Sequence, residues 1–166
     1  MFYRRNWIAV IVVILGLAMF IPVAQAQRQE CSGITCHATT RNILHRSEDS
    51  SVMVLSYDSK AIIRSTHESK LFDNWTQQAI GVVRLQDGKR SWHGFWKQMA
   101  PDGEFIIGEY YNDDHGGTIG KLLYGTGKWK GIKGELKIKR ITAGKPIVER
   151  TDQYCNSWEG WIELPK

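Results

Sequence analysis

From residue 51 onward, short runs rich in β-branched and aromatic residues alternate with polar clusters that contain Gly, Asp, Asn or Pro. No stretch carries the 3.6-residue apolar spacing of a long amphipathic helix. The runs predict strands at 51–56, 61–66, 76–86, 89–99, 104–111, 118–124, 135–142 and 147–158, with 160–164 extending or closing the sheet. Residues 57–60 and 143–146 read as turns, and 67–74 as a connection holding a helical turn at 69–72. Residues 27–50 are polar and aperiodic, so they are expected to be irregular apart from a short strand or turn near 39–44. About eight short strands with frequent turn signals fit an all-β fold, either a closed antiparallel barrel or a sandwich.

The sharpest local prediction is the hairpin around Asp87-Gly88, a pair suited to a two-residue turn with both central residues at positive φ. That turn places Val83 opposite Trp92, Val82 opposite His93, Gly81 opposite Gly94, Ile80 opposite Phe95 and Ala79 opposite Trp96. One face then carries Ala79, Val83, Leu85, Trp92 and Trp96. The other carries Ile80, Val82, Arg84, Ser91, His93 and Phe95. Both faces are partly apolar, as in a barrel wall.

Gly125, Gly127, Gly131 and Gly134 fall within ten residues, among Lys128, Trp129, Lys130 and Lys133. Glycine weakens a strand or helix interior, so the run predicts a corner at which the sheet turns back. It fails as a phosphate loop because no Gly-Lys-Ser/Thr closes it. Its three lysines offer a basic rim for anions.

This glycine run, followed by a strand and a closing turn, resembles the late strands of allene-oxide-cyclase-like and dirigent-like β-barrels. With Asp87-Gly88-Lys89, Gly94-Phe95, Pro101-Asp102-Gly103 and Cys155-Asn156-x-Trp158-x-Gly160, the pattern is similar to secreted bacterial proteins of that class to which no reaction is assigned. The resemblance spans 76–165 and implies a single antiparallel barrel of about eight strands. It implies no one activity, since the class includes cyclases, proteins that guide radical coupling and members with no known reaction. No catalytic motif of the cyclases matches residue by residue.

Residues 1–26 read as a signal peptide. Arg4 and Arg5 precede an apolar run at 8–23, and Ala24-Gln25-Ala26 predicts cleavage before Gln27. The run is shorter than the ~20 residues of a spanning helix, so no stable membrane anchor is expected after cleavage. The expected organisation is a cleaved signal helix, an irregular segment at 27–50 and a barrel domain at 51–166. Two of the 22 basic residues leave with the signal, and the mature chain keeps a net +3 against 17 acidic residues. That mild, evenly spread charge excludes a nucleic-acid-binding stripe.

Cys31, Cys36 and Cys155 all survive cleavage, and an oxidising compartment favours one disulfide. Either Cys31 or Cys36 can reach Cys155 if the ends of the domain meet, or the first two can close a small local loop. A bridge to Cys155 is preferred, because closing so long a loop removes more unfolded-state entropy.

Several groups bear chemistry. Cys31-x4-Cys36-His37 is a widened form of the covalent haem motif, with His45 or Met53 as a second axial ligand. His115 with Asp113, Asp114 and Glu109 has the composition of a divalent-metal or acid–base cluster, but also of an exposed turn. No metal or other cofactor is expected. His93 and Arg84 share a strand face, and with Glu104 or Glu109 they would orient a ligand if that face lined the barrel. Trp92 and Trp96, among seven tryptophans, either fill a core or wall a pocket for an apolar or planar ligand. The leading expectation is a secreted or periplasmic barrel that binds a small apolar molecule or serves as a structural or interaction module. The alternatives are an isomerase or cyclase acting inside the barrel, and a covalent haem protein through Cys31, Cys36 and His37.

Overall fold

Side chains on a strand alternate between two faces, so a sheet with two partly apolar faces buries one only by curling around it. A computed structural model describes residues 27–113 and 115–164 and shows that closure. The strands are β1 (Gln27–Arg46), β2 (Val52–Ser65), β3 (Thr76–Gln86), β4 (Lys89–Met99), β5 (Phe105–Asn112), β6 (Thr118–Gly125), β7 (Lys133–Ala143) and β8 (Thr151–Leu164). Each pairs antiparallel with its chain neighbours, and β1 pairs with β8 to close the barrel. No helix among the described residues is long and apolar enough to cross a membrane. The signal helix expected at 1–26 lies outside the described residues.

The β3–β4 register agrees with the prediction at all five pairs named above. Asp87 and Gly88, at φ 50° and 74°, make the expected turn. Several expectations need correction. The irregular segment expected at 27–50 is instead mostly β1, the longest strand, paired with β8 over 27–40 and with β2 over 33–46. Its inward positions include Cys31, Thr35, His37 and Thr39, small or polar residues whose alternation is invisible to a hydrophobic pattern. The turn expected at 57–60 is the middle of β2. There Tyr57 and Ser59 face inward, whereas Asp58 and Lys60 face solvent and pair at 2.7 Å. Finally, β8 begins at Thr151, and Ile147 and Val148 lie exposed in the preceding loop.

The inner wall is built on a repeated pairing. Tyr57 stands opposite Gly81, Trp96 opposite Gly108, Tyr110 opposite Gly94 and Trp158 opposite Gly33. A Cβ built on any of these glycines would collide with the ring across from it. Trp96 reaches one strand farther and lies against Gly120 as well. The rings therefore lie along the wall over bare backbone, where a side chain would push them toward the axis.

The glycine run makes the corner after β6. Gly127–Trp129 form a 3₁₀ turn, Gly127 and Gly131 have φ of 52° and 80°, and β7 follows. The corner drops Trp129 under the barrel, where its ring centroid lies 5.7 Å from Phe72 and 5.1 Å from Trp75. Phe72 in turn packs at 6.1 Å on Trp158. These rings seal one end. The β2–β3 connection supplies Phe72 and Trp75, and positive φ at Lys70, Phe72 and Asn74 keeps it from forming the expected helical turn.

A disulfide joins Cys36 to Cys155 across the β1–β8 seam, 119 residues apart in sequence. Loop-closure entropy for that separation is worth about 5 kcal/mol. Cys31 is a buried free thiol.

If inward glycines make room for rings, Gly108→Ala should destabilise the fold by about 1–3 kcal/mol, the usual cost of overpacking. Gly144→Ala, where a new Cβ would come no closer than 3.5 Å to Gln153, should change it little. Urea unfolding midpoints check both, and equal effects would contradict the packing described.

Candidate functional site

Laying the rings along the wall leaves the axis of the barrel open. The lumen is a cavity of about 370 Å³, floored by Phe72 and Trp158 and opening at the other end beside Arg41, Arg90, Arg140 and Gly116-Gly117. Its apolar wall comes from Leu55, Ala79, Val83, Trp92, Trp96, Leu136 and Ile138. Trp96 stacks on Tyr110 with ring centroids 5.6 Å apart and planes 19° apart.

Polar side chains in the lumen are mostly tied to one another, as burial requires. Thr39 donates to Ser59 Oγ at 2.8 Å, and Ser59 Oγ is also 3.0 Å from His37 Nδ1. Trp158 Nε1 donates to Thr35 at 3.1 Å. The Tyr57 and Tyr110 hydroxyls share a short hydrogen bond, and Tyr110 also donates to the Ile80 carbonyl at 3.2 Å. His37 stacks on Tyr154 at 4.7 Å, and the Arg140 guanidinium lies 4.0 Å from the centroid of the same Tyr154 ring.

These surroundings set protonation. Burial first, and then the Arg140 charge, push His37 from 6.5 down to about 4. Burial also pushes the Tyr57 phenol up to about 12 and raises Tyr110, which is raised further by Tyr57. The lumen therefore presents neutral imidazole and neutral phenols near pH 7. Such groups orient a bound molecule by hydrogen bonds, and none of them is a strong base.

The mouth is charged. Arg41 pairs with Asp152, while Arg90 lies 5.7 Å over Trp92 and Arg140 covers Tyr154. Burial and the neighbouring Arg140 and Arg41 lower the Arg90 pKa.

The residues singled out from the sequence divide between the two faces. Trp92 and Trp96 line the lumen. His93, Arg84 and Glu109 do not: the first two are exposed, and His93 Nε2 meets Glu109 at 3.6 Å outside the barrel. The hairpin register groups these residues correctly but does not say which face turns inward. The inward face is the one whose rings meet Gly108 and Gly120. His37, Tyr57, Tyr110 and Tyr154 were not singled out as lumen residues, and neither were the arginines of the mouth. The cue available was odd-numbered alternation in 31–41, which becomes readable once β1 is known to be a strand.

The covalent haem reading is overturned. Cys31 and Cys36 are an odd number of residues apart on one strand, so they face opposite sides of the wall, and Cys36 is bonded to Cys155. Burial, with Glu30 second, pushes the Cys31 thiol up to about 12 and keeps it protonated. Asp113 is engaged by its own loop, accepting from the His115 and Gly117 amides at 2.9 and 2.6 Å. Among the described residues no three His, Cys, Asp or Glu side chains gather as metal ligands, and Asp114 lies outside that set. Lys128, at the sealed end, is bound to Asp102 at 2.7 Å.

His37 titrates at about 4 when folded and at 6.5 when unfolded, so the unfolded chain binds more protons between those values. Its contribution to stability should be complete above pH 6.5 and lost as pH falls toward 4. The loss should be about 3 kcal/mol at most. His37→Gln should flatten that part of the stability–pH curve measured by urea unfolding. An unchanged curve would contradict the burial of a neutral imidazole.

No protein-family model matches the chain, and no curated protein matches it in sequence. Solved structures do match in fold. The pterocarpan synthase dirigent protein GePTS1 superposes with a TM-score of 0.52 at 8% identity, over 86% of this chain and 88% of that one. The pterocarpan synthase dirigent protein PsPTS1 gives 0.52 at 10% identity, over 86% and 99%. At such low identity the likeness concerns architecture: this chain has the eight-stranded antiparallel barrel of the dirigent-like class.

Proposed function

We propose that the protein binds a small, largely apolar and planar molecule in the lumen of its barrel. The observation that carries this reading is the cavity of about 370 Å³ inside the barrel, walled by Trp92 and Trp96. An interior meant only as a core would be filled to native packing density. Here glycines opposite aromatic rings hold the rings back from the axis. The hydrogen-bonding groups that line the cavity, His37 and Tyr57 among them, suit orientation of a ligand against its apolar wall. The fold's occurrence in proteins named for pterocarpan synthesis agrees with a small-molecule lumen.

The proposed place of action is outside the cytoplasm. The reading of 1–26 as a signal removed before Gln27 supports it, and so does the Cys36–Cys155 disulfide, a bond that oxidising compartments form and keep. Residues 27–164 then constitute one barrel domain. An isomerase or cyclase acting in the lumen is the second reading, favoured by the buried His37–Ser59–Thr39 set. Against it, the one carboxylate among the described lining residues, Asp152, is held at the mouth by Arg41.

The neutral fluorophore N-phenyl-1-naphthylamine tests the binding reading. It should bind saturably with enhanced emission and quench protein tryptophan fluorescence. Val83→Trp, which places a bulky ring in the lumen, should weaken binding by about tenfold or more, a loss of at least ~1.4 kcal/mol, while leaving the thermal midpoint within a few degrees. Undiminished binding to a folded, filled variant would place the site elsewhere.

A further inference from the structure

The rim of the lumen differs from its interior in one respect that an apolar ligand does not explain. Among the described residues that line the cavity, four are cationic (Arg41, Arg90, Lys139 and Arg140) and one is anionic, Asp152. Asp152 is taken by Arg41. No described carboxylate forms an ion pair with Arg90 or Arg140, although both stand at the mouth of a cavity. Like charges gathered beside an apolar lumen repel one another and raise the cost of the empty state. A bound anion relieves that cost.

The two arginines are also held in place. Arg140 lies over Tyr154 at 4.0 Å, and Arg90 lies over Trp92 at 5.7 Å. A guanidinium resting on a ring keeps its in-plane N–H donors available, and those donors match the oxygens of a carboxylate or sulfonate. Tyr154 also stacks with His37, and Trp92 and Trp96 line the cavity from the same strand. One aromatic surface thus runs from the charged rim into the lumen. Resting on the lumen-binding reading above, we infer that the ligand is a planar aromatic acid. Its anionic head sits at the mouth on Arg90 and Arg140, and its ring body lies inside against Trp92, Trp96 and the His37–Tyr154 stack. His37 is neutral, so the positive charge near the head comes from the arginines and Lys139.

Two fluorophores that share one body separate this inference from the reading on which it rests. 8-Anilinonaphthalene-1-sulfonate has the N-phenylnaphthylamine skeleton of the neutral probe plus one sulfonate. The sulfonate should bind the wild-type protein about tenfold more tightly than the neutral probe, the worth of one good charge-assisted contact. Arg90→Gln and Arg140→Gln should each weaken the sulfonate about three- to tenfold and leave the neutral probe unchanged. Raising sodium chloride from about 20 mM to about 500 mM should weaken only the sulfonate, because screening acts on the charged head. The salt series needs no variant, so it decides the question even if a substitution disturbs folding. If both probes bind equally, with no dependence on salt or on the arginines, the aromatic-acid inference is overturned and the lumen reading stands. If neither probe binds, both fall.

Discussion

The pairing of inward glycines with rings from the neighbouring strand is the constraint on which the rest of this structure depends. An eight-stranded barrel is narrow enough for its own side chains to fill it. Here Tyr57, Trp96, Tyr110 and Trp158 would meet near the axis, but each lies over a glycine directly across the ladder. Aromatic area is buried, and the lumen stays open. The same geometry places Trp96 against Tyr110 and leaves Trp92 facing the cavity. The floor follows a different rule: Phe72, Trp75 and Trp129 come from connections and pack edge to face or tilted beneath the strands.

Charge is distributed along the barrel axis in a way that suits an amphipathic guest. The interior is neutral, because burial suppresses ionisation of His37, Tyr57 and Tyr110. The mouth holds the guanidinium groups, where water and counter-ions can reach them. The seam between the first and last strands is fastened by Cys36–Cys155 on the outer face. Cys31, five residues earlier and facing inward, is set apart from that chemistry by strand alternation alone.

Much of this was legible in the residues. Asp87-Gly88 determined a hairpin register that holds at every pair, and the corner at Gly125 to Gly134 followed from glycine spacing. The resemblance to dirigent-like barrels agrees with the fold. What escaped had a physical cause. β1 buries Thr35, His37 and Thr39, so its period of two is written in polar residues. β2 crosses 57–60 because Asp58 and Lys60 satisfy each other outside while Ser59 is satisfied inside. His93, Arg84 and Glu109 drew attention as polar residues in a strand-rich region, yet they decorate the outer wall. Which face turns inward depends on glycines in the next two strands, β5 and β6, and a single hairpin does not contain that information.

The most direct test is a map of where a small aromatic molecule contacts the protein. Each indole N–H gives its own signal in a nitrogen–proton correlation spectrum, so tryptophans inside and outside the wall report separately. Titration with N-phenyl-1-naphthylamine should shift the Trp92 and Trp96 indoles, which line the lumen, and leave Trp161, under Arg28 on the outer wall, unmoved. Shifts confined to Trp161 and its neighbours, or none at saturating probe, would contradict an open, ligand-accepting barrel.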